Sequence, residues 1–141
     1  MSSNLGEQLK VIQLKAFTQT TGAGTMTGSG VAAGLSVHRG VAEVIITAVG
    51  GDSADRYVFT IEGSNLTIST GFELAHASGE PSALTGGFDA SAQVAKIAVN
   101  GYKWYRVILV TTGGSPDVTY VVNLWLQPSK LPVAAQILAT A

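Results

Sequence analysis

The chain has 141 residues and a net charge of −1 from eight basic and nine acidic side chains, with 12% of its residues charged and no cysteine. The lack of cysteine excludes disulfides and thiolate metal sites, and without a basic cluster to neutralise a phosphate backbone, nucleic acid is not an expected partner. No apolar run approaches the roughly 20 residues that span a bilayer, so no membrane segment is expected, and the first residues show no secretion signal. The length suits one domain. A typical soluble domain is about 25% charged; the lower figure here predicts that much of the surface faces other protein.

Taken in chain order, Leu9 to Phe17 reads as a short amphipathic strand whose apolar phase changes between Val11 and Ile12. Thr18 to Gly34 contains five glycines and no charge, a composition that cannot pack a core of its own. Residues 1–34 are therefore expected to form an extended N-terminal arm and a glycine-rich connection. Val41 to Val49 is rich in β-branched residues and stops at Gly50, Gly51 and Asp52. Arg56 to Glu62 alternates cleanly, with Tyr57, Phe59 and Ile61 on one face. Leu66 to Ile68, Phe72 to Leu74 and Gln93 to Val99 are shorter candidates, and the apolar phase of the last suggests a bulge.

Two long alternating runs follow. Tyr102 to Thr112 places Tyr105, Val107 and Leu109 on one face, and Val118 to Gln127 places Val118, Tyr120, Val122, Leu124 and Leu126 on one face. The link Thr112 to Asp117, with two glycines and a proline, predicts an antiparallel hairpin. Pro128 and Pro132 end the last run, and an uncharged nine-residue tail, Val133 to Ala141, follows. The sum of about seven or eight strands predicts an all-β fold, an antiparallel β-sandwich or jelly roll over residues 35–127, with the arm at 1–34 and an extended apolar tail at 128–141.

The search for chemistry yields no constellation. His38 and His76 lack HxH or HExxH spacing and sit in turn-like surroundings. Asp52, Asp55 and Glu73 lack the ligand order of a calcium loop, so Asp52 to Asp55 reads as a turn that caps backbone groups. Glu80 and Asp89 have no partner carboxylate placed for acid–base work. Gly28-Ser29-Gly30 precedes no helix and no Lys-Ser/Thr pair, and no serine lies in a Gly-x-Ser-x-Gly elbow. Tyr102, Trp104 and Trp125 admit two readings: a platform for sugars, or a cross-strand pair within the expected hairpin. The chain is expected to be no enzyme, with no catalytic residue, cofactor or metal.

Two segments carry a resemblance. Tyr57 to Asn65, ending Glu62-Gly63-Ser64-Asn65, resembles a strand-and-turn of small β-sandwich proteins of tailed-phage particles. Val99-Asn100-Gly101-Tyr102-Lys103-Trp104-Tyr105-Arg106-Val107 is similar to the strand that precedes their closing hairpin. The resemblance covers roughly residues 40 to 127 and departs after Asn65, where a tryptophan-containing loop is replaced by the Ala/Ser/Gly stretch Ala75 to Ser91. It implies a structural virion protein, most like a head decoration (cement) protein that is made in the host cytoplasm and sits on the outer surface of the head. The implied partner is the major capsid protein, and the implied assembly is a homo-oligomer, with a trimer favoured. A tail or baseplate module that binds glycan or receptor is the alternative. On this reading the ends contact the particle through Leu9, Val11, Ile12, Leu14 and Phe17 and through Val133, Ile137 and Leu138, and removal of residues 1–20 leaves a folded sandwich. Self-association is expected through Trp104, Ile108, Val121 and Trp125, with Val110 beside them, as spare apolar residues on outer faces.

Overall fold

The structure is a computed structural model that describes residues 9–50, 54–79 and 93–129. Within those residues all regular elements are strands: β1 (Lys10–Thr21), β2 (Gly24–Thr27), β3 (Val31–Ala32), β4 (Val37–Val49), β5 (Arg56–Ser64), β6 (Glu73–Leu74), β7 (Gln93–Asn100), β8 (Trp104–Thr112) and β9 (Asp117–Pro128). They form two antiparallel sheets. Sheet A is four-stranded in the order β1-β9-β4-β7, and sheet B runs β2-β8-β5-β6 with β3 also on β8. The chain passes from one sheet to the other after β1, β3, β4, β6, β7 and β8. With β2 and β3 counted as two pieces of one strand along β8, this winding is that of a jelly roll.

Alternation decides which residues meet between the sheets. Tyr57, Phe59, Ile61, Tyr105, Val107, Leu109, Val122 and Leu124, the expected inward residues, are all buried. Val118, Tyr120 and Leu126 join them from β9, and Ala42, Val44 and Ile46 from β4. Phe59 of sheet B meets Tyr120 of sheet A edge-on, with ring centroids 5.0 Å apart. Each fully buried side chain of this size contributes on the order of 1.5–3 kcal/mol. The open side of the sandwich is stitched by Ala75 to Ala77. Ala75 N–H donates to Ile61 O in sheet B, while Ala77 N–H donates to Ala98 O and Asn100 N–H donates to Ala75 O in sheet A. His76, between them, accepts the Ile61 N–H on Nε2 at 3.0 Å, so its role is to cap a strand.

Four expectations are corrected. The arm is sheet: Lys10 to Thr21 pairs with β9 from Lys10↔Leu126 to Thr21↔Asp117, and Gly24–Thr27 and Val31–Ala32 pair with β8. Uncharged glycine-rich chain can lie against a sheet edge because its own backbone supplies the hydrogen bonds. The hairpin is a corner between sheets: β8 lies in sheet B between β2 and β5, and β9 lies in sheet A between β1 and β4. Alternating faces look the same whether two strands pair side by side or oppose each other about 10 Å apart across a core. The corner is held by the Tyr57 hydroxyl, which accepts the Asp117 N–H at 2.9 Å, and by Asp55, whose carboxylate accepts the Ser115 N–H at 3.3 Å. Leu66 to Ile68 is an exposed loop, and only Glu73–Leu74 of the next candidate is strand. The pairing of β7 on β4 is regular through Gln93–Asn100. Val94 simply faces outward there, and the irregularity of β1 falls between Gln13 and Thr18.

Candidate functional site

The two segments that carried the resemblance meet in space. Trp104 is the strand partner of Ser64, and Arg106 that of Glu62. Lys103 N–H donates to Ser64 O at 3.2 Å and to the Asn65 side chain at 3.1 Å. Gly63 is required because the Tyr102 ring lies where a β-carbon would stand, and Gly101 because its backbone presses on the Val37 carbonyl. Tyr105 closes the bend: its hydroxyl accepts the Tyr102 N–H at 2.9 Å and donates to Asn100 O at 2.7 Å. Burial pushes the Tyr105 phenol up to about 12 and outweighs the opposing effect of its backbone partner at Tyr102. Burial raises the Tyr102 phenol as well, with help from its hydrogen bond to the Glu73 carboxylate at 2.9 Å. Arg106 is engaged twice, with Glu62 at 2.7 Å and over the Phe72 ring at 4.1 Å. These motif residues build a corner of the sandwich, and their polar groups are spent on one another.

The outer face of sheet A differs. Register aligns its outward side chains in rows across the four strands. Val11, Trp125, Val41 and Ala98 form one row. Gln13, Asn123, Glu43 and Lys96 form the next, with Glu43 directly opposite Lys96. Val121, Ile45 and Val94 form the third. Phe17 joins that row: beyond the β1 irregularity Thr18 and Thr20 turn inward, and Phe17 is left 64% exposed beside Val121. The face thus carries two apolar bands on either side of a charged row. Leu9, Val11, Phe17, Val41, Val94 and Trp125 are its exposed large apolar side chains, with Val94 59% and Trp125 41% exposed. The other exposed ones, Leu66, Ile68 and Leu74, lie around β6. The first band sinks into a groove of about 680 Å³ lined by Leu9, Val41, Ala98 and Trp125 and rimmed by His38, Arg39, Asn100 and Gln127.

The expected contact residues divide accordingly. Leu9, Val11 and Phe17 are exposed on this face, whereas Leu14 is buried and Ile12 packs against the core. Those two serve stability, because β1 is a sheet strand with one inward side. Val133, Ile137 and Leu138 lie outside the described residues. Of the residues assigned to self-association, Val121 and Trp125 are on sheet A, while Trp104, Ile108 and Val110 are half-buried on β8 of sheet B. Trp104 and Trp125 are consequently not a cross-strand pair: Trp104 faces Ala32 and Ser64, and Trp125 faces Val11 and Val41. Val41, Ile45 and Val94 lie on the same face and were not among the expected contact residues. Their signal was present as apolar residues on both faces of a strand. Among the described residues no group of three metal-ligating side chains occurs, and no helix is long and apolar enough to cross a membrane.

Fold and face together define a jelly-roll β-sandwich with one apolar-banded sheet surface. No protein-family model matches the chain, and no curated protein matches it. Among solved structures it is similar to a chain of "Structure of infectious bursal disease virus Gx strain", with a TM-score of 0.48 and 11% identity over 84% of this chain and 31% of that one. It is also similar to a chain of "Structure of infectious bursal disease virus Gt strain", with a TM-score of 0.45 and 17% identity over 86% of this chain and 32% of that one. The protein spans about a third of the length of each of those chains.

Proposed function

We propose that this chain is a non-enzymatic structural protein of a virus particle, a decoration or cement protein that docks the outer face of sheet A on the major capsid protein and stabilises the head. The observation that carries the reading is the gathering of exposed apolar side chains on that one sheet surface. Exposed apolar side chains gathered on one face and edged by polar residues mark an interaction surface. The row of Glu43 and Lys96 between the bands fixes orientation, since opposite charges in register penalise misaligned partners. The resemblance of Tyr57 to Asn65 and Val99 to Val107 to small virion sandwiches supports the choice of a particle over other assemblies, and favours a trimer on its outer surface.

Contact through a sheet face is mechanical glue: each apolar side chain desolvated at a joint contributes on the order of 1–3 kcal/mol, and repetition over a symmetric shell turns modest contacts into avidity. The test is to image particles made with and without this chain, and with Phe17→Ser/Val94→Asp in its place. A regular array over the shell that is lost in the double variant is the expected result. Density confined to the tail, or full occupancy by a correctly folded double variant, overturns it.

A further inference from the structure

We infer that the first apolar band and the row beside it receive an extended protein segment in which a carboxylate stands two residues from an apolar side chain. This rests on the outer face of sheet A being a docking surface, and it names the chemistry of what docks there. Register places a further outward row next to the band: Gln127, Arg39 and Asn100, each two residues along its strand from Trp125, Val41 and Ala98. A break in the pairing of β4 with β9 between Val37 and Arg39 leaves His38 and Arg39 both exposed at the rim of the groove. Such irregularities re-aim side chains and gather beside functional sites.

The rim is rich in donors. Arg39 Nε donates to the Gln127 side-chain oxygen at 2.8 Å, which fixes the guanidinium and engages the acceptor of Gln127. What the pair has left to offer are N–H groups, on the terminal nitrogens of Arg39 and the amide nitrogen of Gln127. Among the described residues no carboxylate lines the groove, and Glu43 stands on the far side of the band, opposite Lys96. An arginine fork in that setting is complementary to a carboxylate brought by the partner. Asn100 adds an acceptor: its amide nitrogen donates to the His76 carbonyl at 3.4 Å, which leaves its oxygen to take a backbone N–H. The apolar side chain enters the groove of about 680 Å³ between Leu9, Val41, Ala98 and Trp125. Spacing selects an extended segment. Neighbouring rows lie about 7 Å apart, two residues at roughly 3.4 Å each, which is also the repeat along one side of an extended peptide.

With Trp104→Phe as background, Trp125 is the sole tryptophan and reports on the groove. The full chain is titrated at millimolar concentration with the capped peptide Ser-Asp-Thr-Leu-Thr-Asn-Thr-Val and with forms that carry Asn or Lys in place of Asp. The expected result is saturable protection of Trp125 from acrylamide by the Asp peptide and severalfold weaker protection by the Asn peptide. Arg39→Gln abolishes that preference, and Arg39→Glu reverses it in favour of the Lys peptide. Arg39 is exposed, so both variants keep the fold. Equal protection by the Asp and Asn peptides, a preference for Asp that survives in Arg39→Gln, or no saturable protection overturns the inference. Glucuronic acid that displaces the Asp peptide at equal concentration overturns it too, by assigning the groove to an acidic sugar. The peptide needs no particle. An absent array with peptide recognition intact therefore rejects decoration alone, whereas an array formed by a protein whose groove ignores the carboxylate rejects this inference alone.

Discussion

The Tyr105 hydroxyl occupies the bend of Asn100 to Tyr102 as both acceptor and donor. Tyr105→Phe leaves two backbone groups without that partner and is expected to cost about 1–3 kcal/mol, measured as a shift of the denaturant midpoint. The same phenol governs alkaline behaviour. Its folded value of about 12 lies above the ordinary tyrosine value of about 10, so the native state holds its proton more tightly than the unfolded chain. The stabilisation is complete below about pH 10 and is lost as pH rises through about 12. Tyr105→Phe should flatten that decline; an unchanged slope from pH 9 to 12 would remove Tyr105 as its source. Burial also raises the Tyr120 phenol, so some slope remains in the variant. In the core, Leu109 is fully buried, and Leu109→Ala is expected to cost roughly 2–5 kcal/mol in the same titration. At this scale the sequence was most legible. Period-2 alternation identifies Tyr57, Phe59, Leu109 and Leu124 as inward whichever sheet they join.

Among elements, β1 shows what alternation cannot disclose. Its inward side chains Ile12 and Leu14 belong to the core, and its pairing to β9 extends over most of that strand. Removal of residues 1–20 is therefore expected to abolish the folded sandwich, contrary to the behaviour of a detachable arm; cooperative unfolding near the full-length midpoint would contradict this. Residues 18–34 read as a tether because glycine and threonine carry little apolar signal. Strands at sheet edges hold on through backbone bonds, which composition does not record. The corner at Thr112 to Asp117 has the same lesson. Turn residues mark a reversal of direction, but whether the chain returns in the same sheet depends on who sits next to β8 and β9. Those neighbours, β5 and β4, are distant in sequence.

At the scale of the described sandwich, the two sheets differ in what their outer faces show. The outer side of sheet B carries the Arg106–Glu62 pair and the half-buried side chains of β8, with Leu66, Ile68 and Leu74 exposed around β6, whereas sheet A shows two apolar bands across its strands. Self-association in solution is expected to depend on sheet A: Val94→Asp should lower the sedimentation coefficient at high micromolar concentration, and Ile108→Thr on sheet B should not. The reverse pattern would transfer the interface to sheet B. The outer face of sheet A was half legible. Phe17 and Trp125 stand out as bulky apolar residues at strand positions, but their assembly with Val41 and Val94 into one surface arises from the register of four strands that are scattered through the sequence.

The order of strands also constrains how the protein comes into being. β9 lies between β1 and β4, so sheet A lacks an inner member until residues 117–128 have been synthesised. β8 holds the corresponding place between β2 and β5. Until then β1 has no neighbour and β4 has an open edge, the exposure that invites pairing with other chains. Folding is expected to be slow, since its decisive contacts join β1 to β9, which are far apart in the sequence. A chain that stops before Asp117 would leave the edges of β1 and β4 unpaired, an adhesive fragment.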